Sequence, residues 1–260
     1  MLELNKVSAG YGRKTVLEDI SAAFPKGKLT SIIGVNGCGK TTLLKTVLGM
    51  LPVGSGEIRM DGVLLSNLTR NEIAKKAAYL AQGKSTPDMT VEQMVLHGRF
   101  PHLQYPRRYT EQDREIACAA MERVGIEALA EQPMSTLSGG MRQNAYIAMA
   151  LAQSTDYILL DEPTTYLDIS HQLELMKTLR ELADGGKGII AVMHDLPMAF
   201  HFSDEIVLIH RGKIQTVATP EDLWDSDEIR EIFGVRLSKN ECGQFCYQYG
   251  AASHRSCANP

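Results

Sequence analysis

The sequence has no run of about 18 consecutive apolar residues, the length a helix needs to cross a bilayer. Its first residues, Met1-Leu2-Glu3-Leu4-Asn5-Lys6-Val7, lack the basic-then-apolar plan of a signal peptide, so the expectation is an intracellular protein. No excess of one charge is present. The 27 Lys and Arg stand against 31 Asp and Glu, a formal net charge of −4. That balance gives no global electrostatic reason to expect nucleic acid or an acidic membrane, although a local basic patch stays open. Cysteine is sparse and odd in number: Cys38, Cys118, Cys242, Cys246 and Cys257. One lies in a Gly-rich loop and one in a helical stretch, which does not read as a disulfide framework. Cys242 and Cys246, followed by His254 and Cys257, do not have a usual zinc spacing, and no metal site is expected there. There is no internal repeat and no heptad run.

The rest of the composition is that of a globular protein. With 260 residues, 44% apolar and 22% charged, the chain suffices for one large domain or two small ones and a substantial core. Its most informative stretch is Gly34-Val35-Asn36-Gly37-Cys38-Gly39-Lys40-Thr41-Thr42. A β-prone run, Leu29 to Ile33, precedes it. Leu43, Leu44, Val47 and Leu48 follow at helical spacing. Strand, Gly-rich loop and helix are the context a phosphate-binding loop requires. Glycines let successive backbone N–H groups turn inward, and the helix start adds positive dipole charge. Lys40 can reach terminal phosphates and the Thr41 hydroxyl can ligate Mg²⁺. The plainer alternative is a turn that merely caps a helix.

In chain order, residues 2–8 and Val16 to Ser21 alternate as strands around the turn Gly10-Tyr11-Gly12, which suggests an antiparallel β-region at the start. Tyr11, in an early loop, is either turn packing or a platform for an adenine ring. Gly49 to Gly56 reads as a turn, and Gly56 to Gly62 as a short strand closed by Asp61-Gly62. Ile73 to Ala78 looks helical, and Ala78 to Ala81 looks like a strand that ends at Gln82-Gly83. The carboxyl end of a strand is where α/β sheets place ligands, so Gln82 is a candidate for a Mg²⁺–water contact and a sensor of the γ-phosphate. Thr90 and Gln93 form a capping box for a helix to about Gly98. The stretch from Arg99 to Tyr109 is irregular, aromatic and basic. It is too short and isolated for single-stranded nucleic acid, and is read as a docking surface for a protein partner. Thr110 to Asp113 starts a helix that runs to Val124. Residues 88–155 thus look like a helical insertion in an α/β core.

Leu137-Ser138-Gly139-Gly140-Met141-Arg142-Gln143 offers free amides and a hydroxyl at a helix start, a second candidate anion site or simply a capped helix. Two γ-phosphate sites in one chain make sense if each completes the other across a symmetric dimer. The apolar strand Tyr157 to Leu160 ends in Asp161-Glu162-Pro163. Beside a phosphate loop, Asp161 would hold Mg²⁺ through water and Glu162 would polarise the attacking water. A second apolar strand, Ile189 to Met193, ends at His194, which could hydrogen-bond the γ-phosphate. Glu205 to Val217 is a hairpin around Arg211-Gly212, and Pro220 to Phe233 is helical.

In this order, Gly34 to Thr42, Gln82, Leu137 to Gln143, Tyr157 to Thr164, Thr165-Tyr166-Leu167-Asp168 and His194 resemble the phosphate loop, Q-loop, signature, Walker B strand, D-loop and switch histidine of an ABC-type ATPase subunit. The resemblance covers residues 1 to about 235. It implies a P-loop NTPase core, α/β, with an N-terminal antiparallel β-region and an inserted helical subdomain, followed by a tail over 236–260. It also implies a homodimer that sandwiches two ATP·Mg²⁺. Tyr11, Gly34, Asn36, Gly37, Cys38, Gly39, Lys40, Thr41 and Thr42 of one copy, with Ser138, Gly139, Gly140 and Asp168 of the other, would bind nucleotide. Thr41, Gln82 and Asp161 would serve the metal, and Glu162, His194 and Gln82 the hydrolysis. Gly98-Arg99-Phe100-Pro101-His102, Ile147 to Gln153 and Glu162 to Gln172 are similar to ATPase subunits of importers for iron-siderophores, haem and vitamin B12, with iron-siderophore the preferred cargo. Such a subunit implies separate permease chains, an extracytoplasmic binding protein and a place on the inner face of the membrane, without nucleic acid. ABC-type ATPases of translation or DNA repair usually carry two ATPase units or a long coiled coil, neither of which is present. Met141 and Asn144 stand where the family often has Gln and Arg, and Val35 stands where it usually has Pro.

Overall fold

A computed structural model describes residues 1–82, 86–165 and 167–248. Gly83, Tyr166, His254 and Cys257 from the sequence reading lie outside them.

The chain opens with β1 (Leu2–Tyr11) and β2 (Lys14–Phe24), an antiparallel pair. β3 (Leu29–Ile33) is buried along its whole length and leads through residues 34–39 into α1 (Lys40–Val47). β4 (Val53–Met60) pairs with β1 and turns through Asp61 and Gly62, both at positive φ, into the short β5 (Val63–Leu64). This hairpin is the one the Asp-Gly pair predicts. β4 starts earlier than the sequence suggests, because Gly54 and Gly56 read as turn residues. Gly56 instead faces a bulge in β1, where Lys6 and Val7 stand against this one residue: its φ is +80° and a Cβ would lie 2.2 Å from the Lys6 carbonyl oxygen. β1 likewise runs on to Tyr11, which pairs with Lys14, so the turn is Gly12-Arg13.

α2 (Arg70–Lys76) begins at a capping box between Thr69 and Glu72 and passes directly into β6 (Ala77–Leu80). The helical insertion then follows. α3 (Val91–Leu96) has the expected Thr90–Gln93 box, and α4 (Glu111–Arg123) has one between Thr110 and Asp113. α5 (Gly139–Ala152) is capped by Ser138.

The stretch after α3 departs from expectation. His97–His102 is a 3₁₀ turn, and the Arg99 side chain is buried rather than offered to a partner. Arg99 donates to Asp113 Oδ1 at 2.9 Å, to the Ala152 carbonyl oxygen at 2.8 Å and to Ser154 Oγ at 3.1 Å. Its charge is spent on joining the end of α5 to the start of α4. His102 Nε2 lies 2.9 Å from the Gln153 carbonyl oxygen. Phe100 and Tyr105 do remain exposed.

After the insertion come β7 (Tyr157–Asp161), α6 (Ile169–Asp184), β8 (Gly188–Val192), α7 (Leu196–Phe202), β9 (Glu205–His210) and β10 (Lys213–Ala218). α8 (Pro220–Leu223), α9 (Asp227–Phe233) and a hairpin of β11 (Leu237–Lys239) with β12 (Phe245–Tyr247) follow. The hairpin falls in the stretch expected only as a tail, yet it packs on the domain. Leu237 is buried, the Phe245 ring lies 5.5 Å from that of Phe200, and the Tyr247 hydroxyl accepts the Leu196 amide at 3.1 Å.

The main sheet has the order β10-β9-β3-β8-β7-β6, parallel from β9 to β6. A second sheet, β2-β1-β4-β5, is antiparallel. Central strands covered on both faces need apolar residues at every position, as in Tyr157 to Leu160. Alternate residues feed two cores. Ile158 and Leu160 join the one shared with the insertion and α6. Leu159 joins the one shared with α1 and the antiparallel sheet. The loops after β3, β6, β7 and β8 therefore emerge at one edge, the carboxyl end of the parallel strands.

Candidate active site

The loop after β3 folds tightly enough to exclude side chains. Gly39 has a φ of +113°, and a Cβ there would stand 2.7 Å from Leu17 Cδ2. Lys40 is buried and its Nζ donates to the carbonyl oxygens of Gly34 at 2.7 Å and Val35 at 3.2 Å. A cation held against carbonyl dipoles at a helix start is poised to exchange them for phosphate oxygens. Asn36 and Gly37 are exposed at the loop tip. The Cys38 side chain is buried beneath the loop, and burial pushes its thiol up against the opposing pull of Lys40. Thr42 is also buried and its carbonyl oxygen accepts the Thr46 hydroxyl at 2.7 Å.

Thr41 Oγ1 lies 3.0 Å from Asp161 Oδ1. Two hard oxygens from different elements at this spacing suit a small divalent cation that keeps several waters. Asp161 Oδ2 accepts the Tyr79 hydroxyl at 3.2 Å. Burial raises the Asp161 carboxyl above its usual range, while the Thr41 and Tyr79 hydrogen bonds oppose the shift. Burial first, and then Asp161, push the Tyr79 phenol up, so it stays a donor. Tyr79 was not read from the sequence as a site residue. The available signal was a phenol in the strand paired with β7.

Glu162, immediately after β7, has a φ of +53°, a costly conformation for a non-glycine residue and one concentrated at functional sites. Its carboxylate is bracketed. His194 Nε2 lies 2.5 Å from Oε1. Gln82 Nε2 and Thr165 Oγ1 both donate to Oε2, the latter at 3.3 Å. Gln82 is thus placed on the carboxylate, and it lines the same cleft as Asp161. His194 too is turned onto Glu162. A carboxylate gripped by an imidazole and an amide, with a buried carboxylate next to it, can orient a water and take its proton. A cleft of about 190 Å³ opens between this group and α5, with Glu162, Gln82, Arg142 and Gln143 on its walls.

Ser138 and Gly139 are exposed. Ser138 Oγ accepts the Met141 amide at 3.3 Å, and the Ser138 carbonyl oxygen accepts the Arg142 amide at 2.9 Å. The amides of Gly139 and Gly140 precede Arg142, the first amide that donates within the helix, and have no intrahelical acceptor. Among the described residues, no hydrogen bond joins 138–140 to the loop 34–42. Asp168 caps α6: its Oδ1 accepts the His171 amide at 3.0 Å and stands 2.8 Å from His171 Nδ1. Those bonds, with one from Ser170, hold its carboxyl at about 2. Tyr11 is 47% exposed at the end of β1 and near enough to enter the electrostatic surroundings of Tyr79.

Comparison with known proteins gives the family of the chain. A family model described as ABC transporter matches residues 17–165, which is 149 of the 260 residues. The ferric enterobactin transport ATP-binding protein of Escherichia coli (strain K12) is 41% identical over 89% of this chain and 86% of its own length. The iron(3+)-hydroxamate import ATP-binding protein of Bacillus subtilis (strain 168) is 39% identical over 90% of this chain and 88% of its own. Among solved structures, a dimeric bacterial ABC transporter cassette superposes with a TM-score of 0.73 at 25% identity, over 85% of this chain and 99% of that one. With more than half of the chain matched to one family, and with relatives aligned along nearly nine-tenths of it, the protein belongs to the ABC transporter family as one of its ATPase subunits.

Proposed function

We propose that this subunit drives import of an iron–siderophore type chelate through separate membrane permeases. The cargo rests on the relatives, whose names specify ferric enterobactin and iron(3+)-hydroxamate. Haem or vitamin B12 is the second reading, because the resemblance of the 98–102, 147–153 and 162–172 stretches is to importers of all three cargoes. No helix among the described residues is long and apolar enough to cross a membrane, and in this reading the translocation path is formed by separate permease chains. A groove of about 580 Å³ between α2 and the 97–102 turn, with Ile73, Ala74, Phe100 and Pro101 on its walls, is the natural seat for a permease element. In this reading the subunit sits at the inner face of the membrane, with a binding protein engaged only through the permease.

Two copies would close on two ATP molecules. Lys40, Thr41 and the amides of residues 34–41 hold the phosphates of one nucleotide. Ser138 and Gly140 of the second copy cover its γ-phosphate. Thr41 and Asp161 would hold Mg²⁺, which neutralises phosphate charge when bound. Glu162 orients the attacking water and accepts its proton. His194 and Gln82 steady the carboxylate, and both must yield as water and the γ-phosphate arrive. Hydrolysis reopens the dimer, and the movement reaches the permease through the Gln82 loop and the 98–109 surface.

The grip of His194 and Gln82 on Glu162, next to the Thr41–Asp161 pair, carries this reading. Glu162→Gln is expected to keep ATP binding, lower turnover by ~10²-fold or more, and accumulate an ATP-bound dimer visible by light scattering. Near-normal turnover would remove Glu162 from its role.

A further inference from the structure

His171 has no part in the mechanism above, yet it touches two of its elements. Gly140 is buried, and a Cβ on it would lie 2.3 Å from His171 Cδ2 and 2.7 Å from both Cγ and Nε2. The imidazole therefore rests directly on the backbone of the Ser138–Gly140 turn. The ring is not free to swing away, because Nδ1 is tied to Asp168 at 2.8 Å and the Asp168 carboxylate also caps the helix that carries the ring. The next residue, Gln172, donates to the carbonyl oxygens of Thr164 at 3.2 Å and Leu167 at 2.9 Å. On the other side, Gln143 of α5 donates to the Pro163 carbonyl oxygen at 3.1 Å. That segment carries Thr165, whose hydroxyl reaches Glu162.

We propose that His171 is a positioning residue: its ring, pinned by Asp168, fixes the Ser138–Gly140 turn against the start of α6, so that engagement of this turn by a second copy's nucleotide is felt at this copy's own Glu162. The proposal rests on the two-copy reading above and deepens it. It also gives Gly140 a reason to be glycine inside one chain, apart from any approach of phosphate. The turn belongs to the inserted helices and Glu162 to the parallel-sheet core. A ring with one contact on each side makes the two move together, and a pinned ring transmits displacement that a freely rotating side chain would absorb.

The test separates the ring's two contacts. His171→Phe keeps a ring against Gly140 and loses the bond to Asp168. His171→Asn keeps a donor for Asp168 and loses most of the ring. Both should bind ATP as monomers within about twofold of the parent, which also reports folding. Both should show kcat lowered by about tenfold, with the cooperativity of hydrolysis in ATP reduced towards a Hill slope of one. Gly140→Ala should lose more, and adding His171→Ser to it should restore at least threefold, because the smaller side chain makes room for the new methyl group. In the Glu162→Gln background the same variants should require more ATP to dimerise. Unchanged kcat and cooperativity in His171→Phe and His171→Asn would overturn the proposal, as would a Gly140→Ala/His171→Ser double variant no better than Gly140→Ala. If Glu162→Gln with native His171 does not dimerise with ATP at all, the two-copy reading itself fails, which is a separate result.

Discussion

The two Gly-rich turns, 34–39 and 138–140, meet their surroundings differently. The first is completed by its own chain: Lys40 is buried on the loop's carbonyls, Thr41 is tied to Asp161, and Asp161 to Tyr79. The second caps its own helix and leaves Ser138 and Gly139 exposed, with hydrogen bonds that stay within α5. One turn can bind phosphate alone. The other has the donors of an anion site without a lysine bound to its carbonyls, and its Gly139 opens onto the cleft that holds Asp161 and Glu162. On the two-copy proposal the second turn is completed by the first turn of another copy; a cassette of similar fold has been solved as a dimer.

The comparison can be broken by damaging each turn separately. Lys40→Ala removes the buried cation and is expected to weaken ATP binding to the isolated subunit by ~10²-fold or more, measured by isothermal titration. Equal binding in that variant would erase the distinction. Ser138→Arg puts a bulky cation on the exposed turn. It should leave ATP binding by the monomer within about twofold and lower steady-state hydrolysis by more than tenfold, because only closure is blocked.

Two further changes sharpen the contrast between carrying a turn and forming one. Arg99 is 8% exposed and pairs with Asp113 while holding the Ala152 carbonyl at the end of α5. Arg99→Ala leaves that carboxylate buried without its partner and should cost about 3–5 kcal/mol of stability in denaturant unfolding. Asp61 lies away from both turns, beside the N-terminal amine, Lys26 and Lys76. Burial alone would raise its carboxyl, but the amine and Lys26 outweigh that and lower it to about 2. A carboxyl held below its ordinary value stabilises the fold above about pH 4 and loses that effect as the pH falls towards 2. Asp61→Asn should therefore cost about 1–2 kcal/mol at neutral pH, shrinking to nothing across that window, with hydrolysis unchanged at pH 7.

Much of this was legible in the chain itself. The phosphate loop, the Asp161-Glu162 pair and His194 announce themselves because each ends an apolar strand, and a parallel sheet gathers such ends at one edge. The capping boxes at Thr90 and Thr110 were equally local signals. What was illegible depended on contacts distant in sequence. Arg99 looked like a surface cation because its partners, Asp113, Ala152 and Ser154, belong to other elements. Gly54 and Gly56 looked like turn residues because a bulge shows only against its partner strand. Tyr79 and His171 meet residues 82 and 31 positions away, Asp161 and Gly140, and no spacing rule joins either pair. The 237–247 hairpin had no periodic signal, and its packing rests on a few rings.

The central claim is that the turn at 138–140 works on another copy's nucleotide. The direct test places cysteines at Asn36 and Ser138 in Glu162→Gln protein whose native cysteines are replaced by serine. Under mild oxidation, ATP and Mg²⁺ should yield dimers linked between position 36 of one copy and position 138 of the other, seen by mass spectrometry, with little linkage in ADP. Linkage confined within single chains, or independent of ATP, would contradict the account.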